Sequence, residues 1–244
     1  MVRRFPQLIA HRCGGALAPE NTLAGLHVAA GYGYRGVEFD VMLSADGTPV
    51  LIHDETLERT TNGHGRVADT RDAELARLDA GSWHGAQFAG EPLPSFGEAG
   101  ALCLALRLWA NVEIKPGRGQ ESETGRKVAL AARDIWSGLP PPLLSSFSIE
   151  ALTAAREAAP ELPRGLLCVA PPIDWLAICR RLACVSLHCS RRYFSAHLLG
   201  DAQAAGIPLL VYTVNDPQDA AQLLHQGVAA VFTDRLDLLT PASD

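Results

Sequence analysis

Nowhere in the 244 residues is there an uninterrupted apolar run of the kind a membrane span needs, about 18 residues or more; the longest candidate, Ala99–Ala110, is broken by Arg107. A leader is not expected either: Met1-Val2-Arg3-Arg4-Phe5-Pro6 makes a small positive start, but His11 and Arg12 interrupt the apolar stretch behind it. The six cysteines (Cys13, Cys103, Cys168, Cys179, Cys184, Cys189) form no CxxC pair, so free thiols in a reducing cytoplasm are expected rather than a disulfide framework. No basic cluster stands out, and 21 Lys+Arg against 27 Asp+Glu leave a net charge of -6, which argues against a nucleic-acid-binding surface. An anionic small molecule is not excluded, because a metal and a few cations set the potential inside one cleft. There is no linker, low-complexity tract or internal repeat, so residues 1–244 read as one domain. No GxGxxG joins a strand to a following helix, since Gly31–Gly36 precedes a strand instead, which argues against the dinucleotide-binding α/β sheet.

What is present is a regular alternation of short β-rich runs and longer helical patterns. The strands expected are Gln7–Ala10, Gly36–Met42, Ala110–Ile114, Leu143–Phe147, Gly165–Val169, Cys184–Leu187, Pro208–Thr213 and Ala230–Thr233. Helices are expected at Asn21–Tyr32, Ser122–Ser137, Ile149–Ala158, Asp174–Leu182, Ser195–Ala205 and Pro217–Gln226, several opening on caps or a first-turn proline. Eight strands with helices after most of them predict an α/β fold of parallel units closing into a (β/α)8 TIM barrel. One connection breaks the rhythm. Between about residues 45 and 100 lies a stretch rich in turn residues, with a short strand Val50–Ile52 and a helix near Asp72–Leu78; it reads as a functional insertion after the second barrel strand.

Chemistry-bearing residues cluster where strands end. His11-Arg12 follows the first strand and pairs a proton carrier with a planar fork of donors suited to phosphate, although such a pair alone also fits a solvated strand end. Strand alternation puts Glu38 and Asp40 on one face and Val37, Phe39 and Val41 on the other. Two carboxylates facing a barrel interior repel unless a cation lies between them, and hard oxygen donors suit one divalent ion, Mg2+ or Ca2+. The next strand repeats the device: Asn111, Glu113 and Lys115 share a face, fitting a third metal ligand beside a phosphate contact. His53-Asp54 ends the insertion's strand, where Asp54 orients the ring or caps the turn, and a second histidine completes the pair that acid–base cleavage needs. Cys13, His64, His84 and Cys189 carry less weight. His188 is placed after the sixth strand at the rim, Tyr212, Asn215 and Asp234 fall at strand ends, and Phe147 is a candidate apolar wall.

Taken in order, His11-Arg12, Glu38-x-Asp40 and His53-Asp54 resemble the HR…ExD…HD pattern of the glycerophosphodiester phosphodiesterase family. Pro19-Glu20-Asn21-Thr22, Asn111–Pro116, Ser145-Ser146-Phe147 and Tyr212-Thr213-Val214-Asn215 join it, so the resemblance runs from residue 7 to residue 237. Leu57-Glu58-Arg59-Thr60, Asp79–Trp83 and Ala159–Leu167 are most similar to cytosolic members from Gram-negative bacteria. The resemblance implies a barrel with an insertion after its second strand. It implies His11 and His53 as the catalytic acid–base pair, Glu38, Asp40 and Glu113 as metal ligands, and Arg12 and Lys115 as phosphate contacts. Cys13 departs from the glycine that many members carry there, a change expected to alter rim packing or oxidation sensitivity. The implied partner is a small glycerophosphodiester, with no nucleic acid and no stable membrane association; a homodimer stands open as an assembly. Lysophospholipase D-type barrels are the alternative within enzymes, but no exposed apolar or basic docking surface is expected from the sequence. A non-catalytic phosphate-ester binding module would lack one of the histidines or carboxylates, and a sugar isomerase would need further ligands that are missing here.

Overall fold

The computed structural model describes residues 5–241; Met1–Arg4, read above for a leader, and residues 242–244 lie outside the described residues. The chain begins with β1 (Leu8–Ala10), α1 (Leu23–Gly31) and β2 (Gly36–Leu43), followed by the short β3 (Pro49–Leu51) and α2 (Asp72–Leu75). Regular alternation resumes with α3 (Phe96–Ala105), β4 (Trp109–Ile114), α4 (Glu121–Ile135), β5 (Leu143–Ser146), α5 (Ile149–Ala158) and β6 (Arg164–Cys168). It continues through α6 (Trp175–Leu182), β7 (Cys184–Ser190), α7 (Ala196–Ala204), β8 (Leu209–Tyr212), α8 (Pro217–Gln226) and β9 (Ala230–Thr233). Eight of the nine strands run parallel, and β1 pairs with both β2 and β9, closing the expected barrel. The ninth, β3, lies outside the ring and pairs antiparallel to the end of β2, Val41 opposite Leu51.

Local chemistry starts the helices where the barrel needs them. Thr22, Ser148, Ser195 and Asp216 each accept a backbone N–H of the first turn, and Pro217 follows Asp216 with its φ already helical. Helix α3 begins inside the stretch assigned above to the insertion. Its signal was present, a reciprocal capping box between Ser95 and Glu98 followed by buried Phe96, Ala99, Gly100 and Cys103. The nearly continuous apolar run after Glu98, with two glycines in the segment, hid the helical period.

Alternation on the barrel strands sorts the side chains into two environments. Val37, Phe39, Val41, Val112 and Ile114 face outward into the layer between strands and helices. Ile9, Leu210, Ala230 and Phe232 fill the barrel's interior. Higher up, the interior turns polar, with Glu38 opposite Asn111 and Asp40 opposite Glu113 in the parallel register of β2 and β4. Each apolar side chain buried outward contributes about 1.5–3 kcal/mol, whereas each ionised carboxylate buried inward costs several kcal/mol. The outer face therefore holds β2 in place, and its inner face is a stability cost that folding alone does not explain.

Candidate active site

His11 is the first residue beyond β1, and its backbone N–H donates to the Thr233 carbonyl at the end of neighbouring β9. Its Nδ1 lies 2.7 Å from Asp234 Oδ1, and its Nε2 points toward Glu38 Oε2 at 3.9 Å. Asp234 is itself held: Asn215 Nδ2 donates to Oδ2 at 3.1 Å, and Asn215 Oδ1 accepts the Asp234 N–H at 2.8 Å. Burial disfavours charge on His11, but the bond to Asp234 and the nearby Glu38 outweigh it, and the pKa is raised overall.

The chain then curls sharply. Arg12, Cys13 and Asn21 all have positive φ (49°, 71° and 57°), an uncommon conformation for residues with a Cβ. The curl turns the Arg12 N–H onto Glu38 Oε2 at 2.9 Å and the Cys13 N–H onto the Glu38 carbonyl at 2.7 Å. It also lets Asn21 clamp Asp40, donating from Nδ2 to Oδ2 at 2.9 Å and accepting the Asp40 N–H at 3.0 Å. Of the two effects expected for Cys13, the oxidation sensitivity is corrected here. Its side chain is fully buried, packed where Gly25 of α1 leaves room, since a Cβ on Gly25 would meet the Cys13 Cβ at 2.8 Å. Burial pushes the thiol pKa well up, so the group is an inert core thiol rather than an oxidation-sensitive rim residue.

Glu38, Asp40 and Glu113 are buried, and each offers an oxygen within 4.8 Å of the others. Lys115 Nζ sits 3.2 Å from Asp40 Oδ1 and 3.5 Å from Glu113 Oε1, and Arg12 Nε is 3.8 Å from Asp40 Oδ2. For Asp40, burial raises the pKa, but Lys115, His53, Arg12 and Asn21 together hold it below the ordinary carboxylate value. Glu38 and Glu113 go the other way, pushed up by burial and then by the charge on Asp40. Three hard oxygen donors with unmet negative charge, walled by apolar strands, fit a divalent cation.

His53 arrives from outside the barrel. Ile52 donates its N–H to the Asp40 carbonyl at 3.2 Å, so the strand extension past β3 carries His53 to the rim. His53 Nδ1 is 2.6 Å from Asp54 Oδ1, and Arg59 donates to both oxygens of Asp54, at 2.6 and 3.0 Å. Arg59 also reaches Glu20 at 2.7 and 2.8 Å, and Glu20 accepts from Arg12 Nη1 at 3.0 Å. One chain of charged groups thus runs from His53 through Asp54, Arg59 and Glu20 to Arg12. Burial outweighs the neighbouring carboxylates at His53 and lowers its pKa.

The sequence-predicted catalytic, phosphate and metal residues, with Phe147, His188 and Tyr212, line one cavity of about 170 Å³ at the C-terminal ends of the barrel strands; Asn215 and Asp234 do not line it directly. Asp54 stands behind His53. Phe147 is exposed and stacks edge-on against Tyr212, whose hydroxyl donates to the Cys168 carbonyl at 3.0 Å. His188 is corrected from the rim to the barrel interior: β7 extends to Ser190, and the ring is fully buried. His64 is exposed and His84 bonds the Ala16 carbonyl at 3.2 Å, both away from the cavity. In the sequence Asp234 reads only as a strand-end residue, and Glu20, Asn21 and Arg59 only as parts of motifs. Their roles as clamps depend on which strand ends meet, and spacing along the chain carries no sign of that.

The sequence model of the glycerophosphoryl diester phosphodiesterase family matches residues 11–238. A glycerophosphodiester phosphodiesterase of Caldanaerobacter subterraneus subsp. tengcongensis is 34% identical over 227 residues, 93% of each chain. Among solved structures, a phosphodiesterase of Oleispira antarctica in complex with the product sn-glycerol-3-phosphate is 42% identical with a TM-score of 0.90, covering 94% of this chain and 93% of that one. A glycerophosphodiester phosphodiesterase of Agrobacterium tumefaciens is 27% identical with a TM-score of 0.77, covering 96% and 98%. The motifs, the closed barrel and these similarities agree, and the chain belongs to the glycerophosphoryl diester phosphodiesterase family of phosphoric diester hydrolases.

Proposed function

We propose that the protein hydrolyses glycerophosphodiesters to sn-glycerol 3-phosphate and an alcohol, with His11 and His53 exchanging protons. The observation that carries this reading is that both histidines, the Glu38–Asp40–Glu113 triad and the cations Arg12 and Lys115 line one cavity. A divalent ion, Mg2+ or Ca2+, held by Glu38, Asp40 and Glu113 would supply charge neutralisation on the phosphate. Arg12 and Lys115 bind the phosphate oxygens, Arg12 through its planar fork and Lys115 as a point charge. One histidine takes the proton of the nucleophile and the other delivers a proton to the departing alkoxide. Asp234 and Asp54 each hold an Nδ1–H, leaving both Nε2 atoms free for these transfers.

Six unpaired cysteines support the reading of a reducing, cytoplasmic setting, and among the described residues no helix is long and apolar enough to cross a membrane. One observation favours a second reading. Phe147, expected as an apolar wall, is exposed with the unexpected Val169, Ile173 and Tyr193 on the three successive loops that follow β5, β6 and β7, an apolar rim that an acyl chain would fit.

A single panel decides between them: EDTA-treated protein resupplied with Mg2+ or Ca2+ and offered glycerophosphocholine or lysophosphatidylcholine. Release of sn-glycerol 3-phosphate from the first, restored by metal, is expected. Turnover of lysophosphatidylcholine alone would transfer the assignment to the lysophospholipase D type, and no metal-dependent release from either would overturn both.

A further inference from the structure

Two polar side chains in the deep wall of the cavity have no part in the proton transfers or the phosphate clamp. Asn111 faces inward from β4 and is 1% exposed; His188 faces inward from β7 and is fully buried. Both line the same cavity as His11 and His53. Each is half satisfied. Asn111 Nδ2 donates to Ser145 Oγ at 3.0 Å, which fixes the amide and leaves Oδ1 buried without a partner. His188 Nε2 lies 3.0 Å from Ser186 Oγ, which fixes the ring and leaves Nδ1 buried without a partner. Buried polar atoms almost always have a hydrogen-bond partner; three exceptions belong to this cavity, and while Arg12 Nε sits in the phosphate clamp, Asn111 Oδ1 and His188 Nδ1 call for another explanation.

The fold makes room for this arrangement. Gly165 of β6 stands beside the pair, and a Cβ there would approach Ser186 Oγ to 2.7 Å and His188 Nε2 to 2.8 Å. Burial drives the His188 imidazole down to about 3, so the ring is neutral and Nδ1 carries one hydrogen-bonding function and no charge. An uncharged acceptor on Asn111 and an uncharged imidazole nitrogen bring no charge to balance that of a phosphate or an ammonium group. They suit hydroxyls, which donate and accept. Phe147, Leu167 and Phe232 line the same cavity and offer apolar surface for carbon.

We propose that Asn111 Oδ1 and His188 Nδ1 form a hydroxyl-reading floor that recognises the free hydroxyls of the substrate's glycerol arm. The inference rests on the proposed glycerophosphodiesterase reading and adds which part of the substrate the β4–β7 wall holds. The glycerol arm is the part that all glycerophosphodiesters share, so fixed, buried donors and acceptors suit it, whereas a variable alcohol belongs toward the open rim. A site built to bond a hydroxyl discriminates strongly against the analogue lacking it, because its polar atoms then stay unpaired.

The test is calorimetric and needs no turnover: sn-glycerol 3-phosphate and n-propyl phosphate, which lacks both hydroxyls, are titrated into the metal-loaded protein. The parent is expected to bind glycerol 3-phosphate at least about tenfold more tightly. In His188→Phe and Asn111→Leu that preference should shrink toward parity while the affinity for propyl phosphate is kept. His188→Gln, which retains a polar terminus, should keep part of the preference and serves if the phenylalanine variant does not fold. Equal affinity of the parent for both phosphates, or a preference unchanged in the folded variants, would overturn the floor while leaving the phosphate seat standing. Binding of neither phosphate to the parent would overturn the seat and the floor together.

Discussion

The cavity has two unlike sides, each an arc of the barrel. From β1 to β4 it is built of ionisable groups, with His11, Arg12, Glu38, Asp40, Glu113 and Lys115 crowded together and His53 leaning in from beyond β3. From β5 to β9 it carries no charge: Phe147, Leu167, Tyr212 and Phe232 surround a neutral His188. The charged arc is poor for stability and suited to chemistry, since buried carboxylates cost more than their neighbours return unless a cation joins them. The uncharged arc packs like core and suits selection of a substrate's organic part. Within the charged arc a second contrast appears. His11 is held by the meeting of β1 and β9 through part-buried strand ends, whereas His53 is held by its own sequence neighbour and an exposed arginine.

The comparison can be broken most directly at the two histidines. His11→Ala and His53→Ala should each lower kcat by about 10²- to 10⁴-fold with unchanged melting temperature, whereas Phe147→Ala across the mouth should act mainly on KM. Steady-state kinetics with thermal melts checks this, and near-parental turnover in both folded histidine variants would end the acid–base assignment. Next in size are the positioning carboxylates. Asp234→Asn and Asp54→Asn should each cost roughly tenfold to a hundredfold in kcat with KM little changed. A larger loss for Asp234→Asn would sharpen the contrast between a barrel-held and a loop-held histidine.

The uncharged arc makes its own prediction through pH. His188 is neutral in the fold but takes a proton in the unfolded chain below about 6.5. Its contribution is therefore fully present above that value and is lost as pH falls toward 3, at up to about 1.4 kcal/mol per pH unit. Denaturant titrations across this range should show a shallower slope for His188→Gln; an identical slope would mean that the ring is not buried neutral. The smallest effect is expected at Arg59, whose side chain is 44% exposed. Exposed pairs contribute about 0–1 kcal/mol, so Arg59→Ala should lower activity by a few-fold at most, and raised salt should shrink the difference.

The two arcs were not equally legible in the sequence. Glu38, Asp40, Glu113 and Lys115 stand out because charges alternating with Val, Phe and Ile inside a strand contradict the environment that the strand implies. His188 gave no such contrast. Ending β7 at Leu187 placed it at the rim, and only the extension of the strand to Ser190 put it inside. The apolar rim residues Val169, Ile173 and Tyr193 were invisible for the opposite reason: side chains of the same kind form the core, and nothing local says which loop faces water. Helix α3 was blurred because burial on several sides erased its period.

What the sequence determined by itself was the alternating architecture, the two histidines and the inward row of carboxylates. Strand alternation and ordered motifs are properties of near neighbours along the chain. Only the tertiary structure decided that Asp234 holds His11, that Arg59 and Glu20 link His53 to Arg12, and that Asn111 and His188 share one floor. Asp234 lies 223 residues from His11. Barrel closure is what brings them to 2.7 Å, because β1 pairs with β9 and hydrogen-bond geometry between strand ends has no counterpart in sequence spacing.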